Sequence, residues 1–196
     1  MTAKILVFAG SIRTGAHSGR TADAAMRELV ALGADVIRIS LADYPLPLMD
    51  QDLEREKGVP ENAYRLARLI AAQDGVLIAS PEYNHSMPPL VKNTIDWVSR
   101  VHKDGGKPLS PYPGKVAAIC SSSNGNFAGI RSANHLRAVL SHIGMEVIAP
   151  QVSVPYGAEA FDEAGNFREE RLRKGMARTC KTLIEHARLH STRIAP

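Results

Sequence analysis

The stretch Gly10 to Ser18, GSIRTGAHS, follows a short apolar run and gathers three hydroxyls and one guanidinium within a few residues. Ser11, Thr14 and Ser18 offer the hydroxyls, and Arg13 can clamp a phosphate through two N–H groups. A polar turn between a strand and a helix also presents backbone N–H groups at the helix N-terminus, which suits an anion. Two readings stay open at this point: a phosphate site, or a serine-rich turn in which Ser18 caps the helix. Gly10, Gly15 and Gly19 do not make G-x-G-x-x-G, which disfavours a dinucleotide across this turn. Gly10 and Gly15 have Walker spacing, but Ala16 and His17 stand where Lys and Ser/Thr are needed. The electrostatic machinery of phosphoryl transfer is therefore missing, and the turn suits a monophosphate end.

Two further polar stretches follow apolar runs. One is Ser80 to Trp97, SPEYNHSMPPLVKNTIDW; the other is Ser121 to Gly129, SSSNGNFAG. Both offer backbone amides, and together with the first turn they suit a planar heterocycle with a phosphate tail. Pro81 stiffens the middle stretch, and Pro88-Pro89 stand where a helix starts and a missing N–H costs little. Glu82 reads as a cap or turn residue more readily than as a catalytic carboxylate. His85 reads as shaping its loop, with proton donation to an acceptor as the sharper alternative, shared with Tyr83. His186 and His190 have the i, i+4 spacing of metal ligands, but no third ligand is expected near them, so a solvated helix face is expected and no metal. His135 and His142 receive the same reading. Cys120 and Cys180 sit in apolar periodic segments and are expected to be reduced and packed.

The elements that must position these stretches alternate. Apolar runs at 4–10, 35–41, 75–80, 115–120 and 145–149 read as strands. Stripes at helical spacing mark helices at 21–32, 61–73, 90–101, 130–143 and 168–189. Residues 42–60 read as a long loop with a fragment of helix near 52–56, and residues 103–113 as a Gly/Pro-rich loop. Five apolar strands alternating with helices imply a parallel sheet covered on both faces. Right-handed crossovers make it doubly wound, and ligands then bind beyond the carboxyl ends of the strands, where all three polar stretches emerge.

Composition narrows the class. The chain has 196 residues and 44% apolar side chains, which suits a single domain, 1–196, with a sizeable core. The net charge of +4 is scattered over helices and only 5% of residues are aromatic, so no nucleic-acid partner is expected. No apolar run approaches a membrane span, and the N-terminal run Ile5 to Ala9 lacks the shape of a signal peptide. The expectation is a cytoplasmic protein with no membrane partner.

GSIRTGAHS, SPEYNHSMPPLVKNTIDW and SSSNGNFAG resemble the three flavin loops of the NADPH-dependent FMN reductase family, which includes NAD(P)H:quinone, chromate and azo-dye reductases. The resemblance implies a flavodoxin-like α/β fold: a doubly wound five-stranded parallel sheet in the order 2-1-3-4-5. It implies bound FMN, NADPH or NADH as co-substrate, a small-molecule electron acceptor (quinone, chromate, azo dye or free flavin), and a homodimer or homotetramer. It implies that Ser11, Arg13 and Ser18 hold the FMN phosphate. Pro81, Glu82, Tyr83 and Asn84 would run along the ring edge. Ser122, Ser123 and Gly125 would approach the pyrimidine end or the ribityl chain. No catalytic side chain is expected, because the flavin carries the chemistry. The first loop departs from the family pattern G-S-x-R-x-x-S-x-N: Ala16 replaces its serine and Ser18 its asparagine. The alternative is a flavodoxin-type electron carrier that does not oxidise NAD(P)H directly; the basic charge of the chain weighs against it.

Overall fold

The computed structural model describes residues 2–194. The chain runs β1 (Lys4–Ala9), α1 (His17–Ala31), β2 (Asp35–Ile39), α2 (Gln51–Lys57), α3 (Glu61–Ala71), β3 (Gly75–Pro81) and α4 (Pro89–Ser99). It continues through β4 (Lys103–Asp104), β5 (Lys107–Pro108), β6 (Val116–Ser122), α5 (Ile130–His142), β7 (Glu146–Val147), β8 (Val152–Val154) and α6 (Glu170–Ile194). The main sheet is parallel in the order β2-β1-β3-β6-β7, with β8 also paired to β6.

Successive strand residues point to opposite faces, so each central strand feeds two cores. Ile5, Val7, Leu77 and Ala118 pack with α1 and α6 through Ala25, Leu29, Met176 and Leu183. Leu6, Phe8, Val76 and Ile119 pack on the other face with α3, α4 and α5 through Leu66, Ile95 and Leu136. This two-sided burial is why the strands read as continuous apolar runs.

Three expectations need correction. The fifth lane of the sheet holds two short strands rather than one at 145–149: β7 pairs with Val116–Ala117 and β8 with Cys120–Ser122. Between them the Val147 and Ile148 carbonyls accept from the Arg137 guanidinium at 3.2 and 2.8 Å, and Pro150 brings no N–H to a ladder. Second, α1 begins at His17, not Thr21. Its first turn faces a cleft instead of the core, so it carries no apolar stripe to read. Third, the 103–113 segment contains the antiparallel pair β4–β5.

The 42–60 segment holds α2 and a 3₁₀ turn at Leu41–Asp43. Helix α4 pins it: Asn93 accepts from the Met49 N–H (2.7 Å) and donates to the Pro47 carbonyl (2.8 Å). The Trp97 indole, fully buried, donates to the same carbonyl at 2.7 Å. No described helix is long and apolar enough to cross a membrane.

Candidate functional site

A cleft of about 180 Å³ opens at the carboxyl edge of the sheet. The β1–α1 turn lines it with Ser11, Arg13, Ala16, His17 and Ser18; the β3–α4 loop with Pro81, Glu82 and Tyr83; the β6–α5 loop with Ser122, Ser123 and Asn124. Thus Ser11, Arg13, Ser18, Pro81, Glu82, Tyr83, Ser122 and Ser123 come together, while Asn84 and Gly125 lie beside the lining. His17 and Asn124 line it too, and the sequence carries no separate signal for either. The β8–α6 segment, which sequence reasoning missed, also reaches this edge: the Gly157 N–H donates to the Ser123 carbonyl (3.0 Å), and the Ala158 N–H to Asn124 Oδ1 (3.3 Å).

Tight packing sets the first turn. The Gly10 N–H donates to the Ala79 carbonyl at 2.8 Å. A Cβ at Gly10 would stand 2.7 Å from Val91 and 3.0 Å from Pro81, so only glycine lets β1 exit this close to the second loop. Ser11 Oγ accepts from the Arg13 N–H (3.3 Å) and lies 3.5 Å from the Tyr83 hydroxyl across the cleft. The Arg13 guanidinium donates to the Thr14 carbonyl at 3.2 Å and makes no ion pair among the described residues. Ser18 does not cap α1. Ala16 is the N-cap, no side chain caps the helix, and no acidic residue stands in its first turn.

The second loop ends in a two-residue hairpin turn. Tyr83 and Ser86 exchange both backbone hydrogen bonds at 3.0 Å, and Asn84 and His85 take left-handed φ of 48° and 64°. Asn84 is thus a turn residue, and asparagine tolerates this conformation. Ser86 Oγ contacts His135 Nδ1 at 2.9 Å. Glu82 turns its carboxylate away to α5: Oε2 accepts from the Arg131 and Ser132 N–H groups at 3.1 and 3.4 Å, and Oε1 lies 3.5 Å from the Arg131 guanidinium. Ser132 Oγ donates to the Pro81 carbonyl at 2.8 Å. Gly125 has only Ser123 Oγ, at 3.8 Å, near where a Cβ would stand, so its surface is open.

Four described buried side-chain atoms lack a hydrogen-bond partner: His17 Nδ1, Ser18 Oγ, Ser122 Oγ and Thr179 Oγ1. Three of them belong to this one cleft. Burial of the His17 imidazole pushes its pKa below the usual range, and the nearby Arg13 and Arg20 charges push the same way, against a hydrogen bond with Asn124. An unpaired buried polar atom costs about 1–3 kcal/mol, so the cleft is built for a ligand that supplies partners. The hydroxyls, a guanidinium with no ion-pair partner among the described residues and the uncapped helix N-terminus fit a phosphate.

Other candidates fall away. Burial pushes the Cys120 thiol up to about 12, so it is inert at neutral pH, and neither buried cysteine is paired. His186 and His190 do have a third group close by, contrary to the sequence reading: both hydrogen-bond the Glu146 carboxylate, one oxygen each. Glu146 lies far along the chain on β7, so spacing on α6 could not reveal it. Among the described residues no group of three or more His, Cys, Asp or Glu is arranged to hold a metal.

Comparison with known proteins agrees with this geometry. The model of the NADPH-dependent FMN reductase family matches residues 3–159. An NAD(P)H-dependent FMN reductase of Pseudomonas aeruginosa is 35% identical over 173 residues, covering 87% of this chain and 88% of its own. A quinone reductase of Escherichia coli is 37% identical over 138 residues, covering 70% of this chain and 69% of its own. Among solved structures, the flavoenzyme NAD(P)H:(acceptor) oxidoreductase of Paracoccus denitrificans superposes with a TM-score of 0.80 at 25% identity, over 96% of this chain and 99% of its own. The chain therefore belongs to the NADPH-dependent FMN reductase family, oxidoreductases with FMN as cofactor and a reduced nicotinamide nucleotide as electron donor.

Proposed function

We propose that this protein reduces quinone-type small molecules with electrons from NAD(P)H, at the cleft where the three loops meet. The observation that carries this reading is the set of three unpartnered buried polar atoms around the uncapped N-terminus of α1. FMN bound there would supply the redox chemistry that links the nicotinamide donor to the acceptor. Ser11, Arg13 and Ser18 would hold its phosphate. Pro81 to Asn84 would flank the ring edge, mainly through backbone groups. Ser122, Ser123 and Gly125 would border the pyrimidine end or ribityl chain.

No side chain of the cleft is needed as a general base. The Glu82 carboxylate is engaged with α5, which makes it a positioning residue. Tyr83 stands at the cleft with its hydroxyl near Ser11 and offers an O–H that could donate to a quinone oxygen. The quinone assignment draws on the similarity to the Escherichia coli enzyme.

The purified protein is expected to carry or take up FMN, to bleach under NADPH without oxygen, and to regain colour when a benzoquinone is added. Failure to bleach would turn the reading toward an electron carrier. Bleaching without reoxidation by any quinone would overturn the acceptor class. We also infer a homodimer or homotetramer, which rests on the family resemblance, with the 42–60 and 103–113 segments as the candidates to cover a subunit boundary. A monomer by light scattering would refute it. The two unpaired buried thiols support a reducing, cytoplasmic setting.

A further inference from the structure

We propose that His17 is a phosphate-binding side chain of this cleft and that it takes up a proton when FMN binds. The inference rests on the reading of the cleft as the FMN site. His17 is the first residue of α1, and its ring lines the same cleft as Ser11, Arg13 and Ser18. The neighbouring side chain, Ala16, offers no hydroxyl, and Nδ1 of the imidazole has no hydrogen-bond partner among the described residues. Beside it Ser18, 1% exposed, also leaves its Oγ unpartnered.

The ring is held in place from the far side. A Cβ on Gly157 would stand 2.6 Å from His17 Cγ and 2.8 Å from its Cβ, so the β8–α6 segment packs against the imidazole in a way only glycine permits. That segment is tied down by the bonds from Gly157 to Ser123 and from Ala158 to Asn124. The imidazole is thus clamped at the mouth of a site whose ligand is anionic.

Its charged surroundings lack one component. From the β1–α1 turn and α1 it faces Arg13 and Arg20, both cationic; from the β6–α5 loop it faces the neutral Asn124. The other titratable groups lining the cleft are Glu82 and Tyr83, and the Glu82 carboxylate is committed to α5. An imidazolium there has no anion until a phosphate arrives. A phosphate monoester is mostly a dianion at pH 7.5, since its second pKa is about 6. It would reverse the balance of charge, and the ring would accept a proton from the buffer and donate to a phosphate oxygen.

The test uses apoprotein prepared by flavin removal, titrated with FMN and with riboflavin, which lacks the phosphate. Calorimetry at pH 7.5 in buffers of different ionisation enthalpy counts the protons taken up. Wild type should take up part or all of one proton per FMN and none with riboflavin. His17→Phe keeps a ring beside Gly157. It should weaken FMN about 10- to 100-fold, the range of a lost charge-assisted hydrogen bond, and leave riboflavin unchanged. His17→Gln retains a donor without titrating and should lose the proton uptake. An unchanged ratio of FMN to riboflavin affinity in His17→Phe, or the same proton uptake in His17→Gln as in wild type, overturns the role of His17 while the FMN site stands. If wild type binds neither flavin, the reading of the cleft itself is lost, and this inference with it.

Discussion

Two helix N-termini meet the same edge of the sheet and are treated in opposite ways. α5 receives a carboxylate from elsewhere in the chain: Glu82 accepts from the Arg131 and Ser132 N–H groups and pairs with the Arg131 side chain. α1 receives nothing. Ala16 cannot cap it, its first turn holds no acid, and two side chains in that turn are left with unpartnered buried atoms. Both ends carry the same positive end of a helix dipole. The protein neutralises the one that holds the loops together and leaves the other open, which is the end we propose receives the phosphate.

The strongest way to erase this contrast is to give α1 its own acid. Ala16→Asp should stabilise the flavin-free protein by about 0.5–2 kcal/mol through the new cap. The same carboxylate should repel the phosphate and weaken FMN by roughly 100-fold or more, since like-charge juxtaposition costs several kcal/mol. Chemical denaturation and flavin-fluorescence titration read the two effects separately. A variant that gains no stability and keeps its FMN affinity would dissolve the contrast.

Removing the acid from α5 is the reciprocal change. Glu82→Ala should cost about 1–2 kcal/mol of stability, within the range for a lost helix cap, measured as a lower urea midpoint at unchanged slope. Glu82→Gln should cost less, because an amide oxygen still accepts from the two N–H groups. A smaller change sharpens the α1 side: Ala16→Ser adds a hydroxyl at the phosphate turn. It should tighten FMN about 3- to 10-fold, corresponding to one net hydrogen bond of about 0.5–1.5 kcal/mol, without altering riboflavin affinity.

The smallest effect belongs to a control far from both helix ends. The hydrogen bond from His186 holds the Glu146 carboxyl below its usual range, with His190 acting the same way against desolvation. A depressed carboxylate pKa gives stability that is present above the ordinary value of 4.5 and lost as pH falls through the lower, folded value. The Glu146 side chain is 39% exposed, so screening limits the contribution to about 0.5–1 kcal/mol. Glu146→Gln should flatten that part of an acid-unfolding curve and leave FMN affinity unchanged. A shift in FMN affinity would show that the edge is not independent of α6.

Much of the fold was legible in the sequence because two-sided burial writes itself as apolar runs. Ile5 to Ala9 and Val76 to Ala79 announce central strands, and Leu66, Leu136 and Leu183 mark helix faces that cover them. The split of the last lane into β7 and β8 was not legible, because the Arg137 side chain that ties down Val147 and Ile148 comes from α5. The start of α1 was hidden for a related reason: a turn that faces a cleft has no core to give it a period.

The sequence by itself determined the alternation of strands and helices, the three polar stretches at one sheet edge, and the residue types suited to a phosphate and a flat ring. Those are local matters, set by periodicity and by the side chains each stretch carries. Only the tertiary structure decided which groups were already committed. Glu82 turned out to belong to α5, and Asn84 to a left-handed turn. At the cleft, the described groups left without partners proved to be His17, Ser18 and Ser122. Whether a polar atom is satisfied depends on neighbours distant in sequence, Gly157 beside His17 and Arg131 beside Glu82, and such neighbours are brought together only when the chain folds.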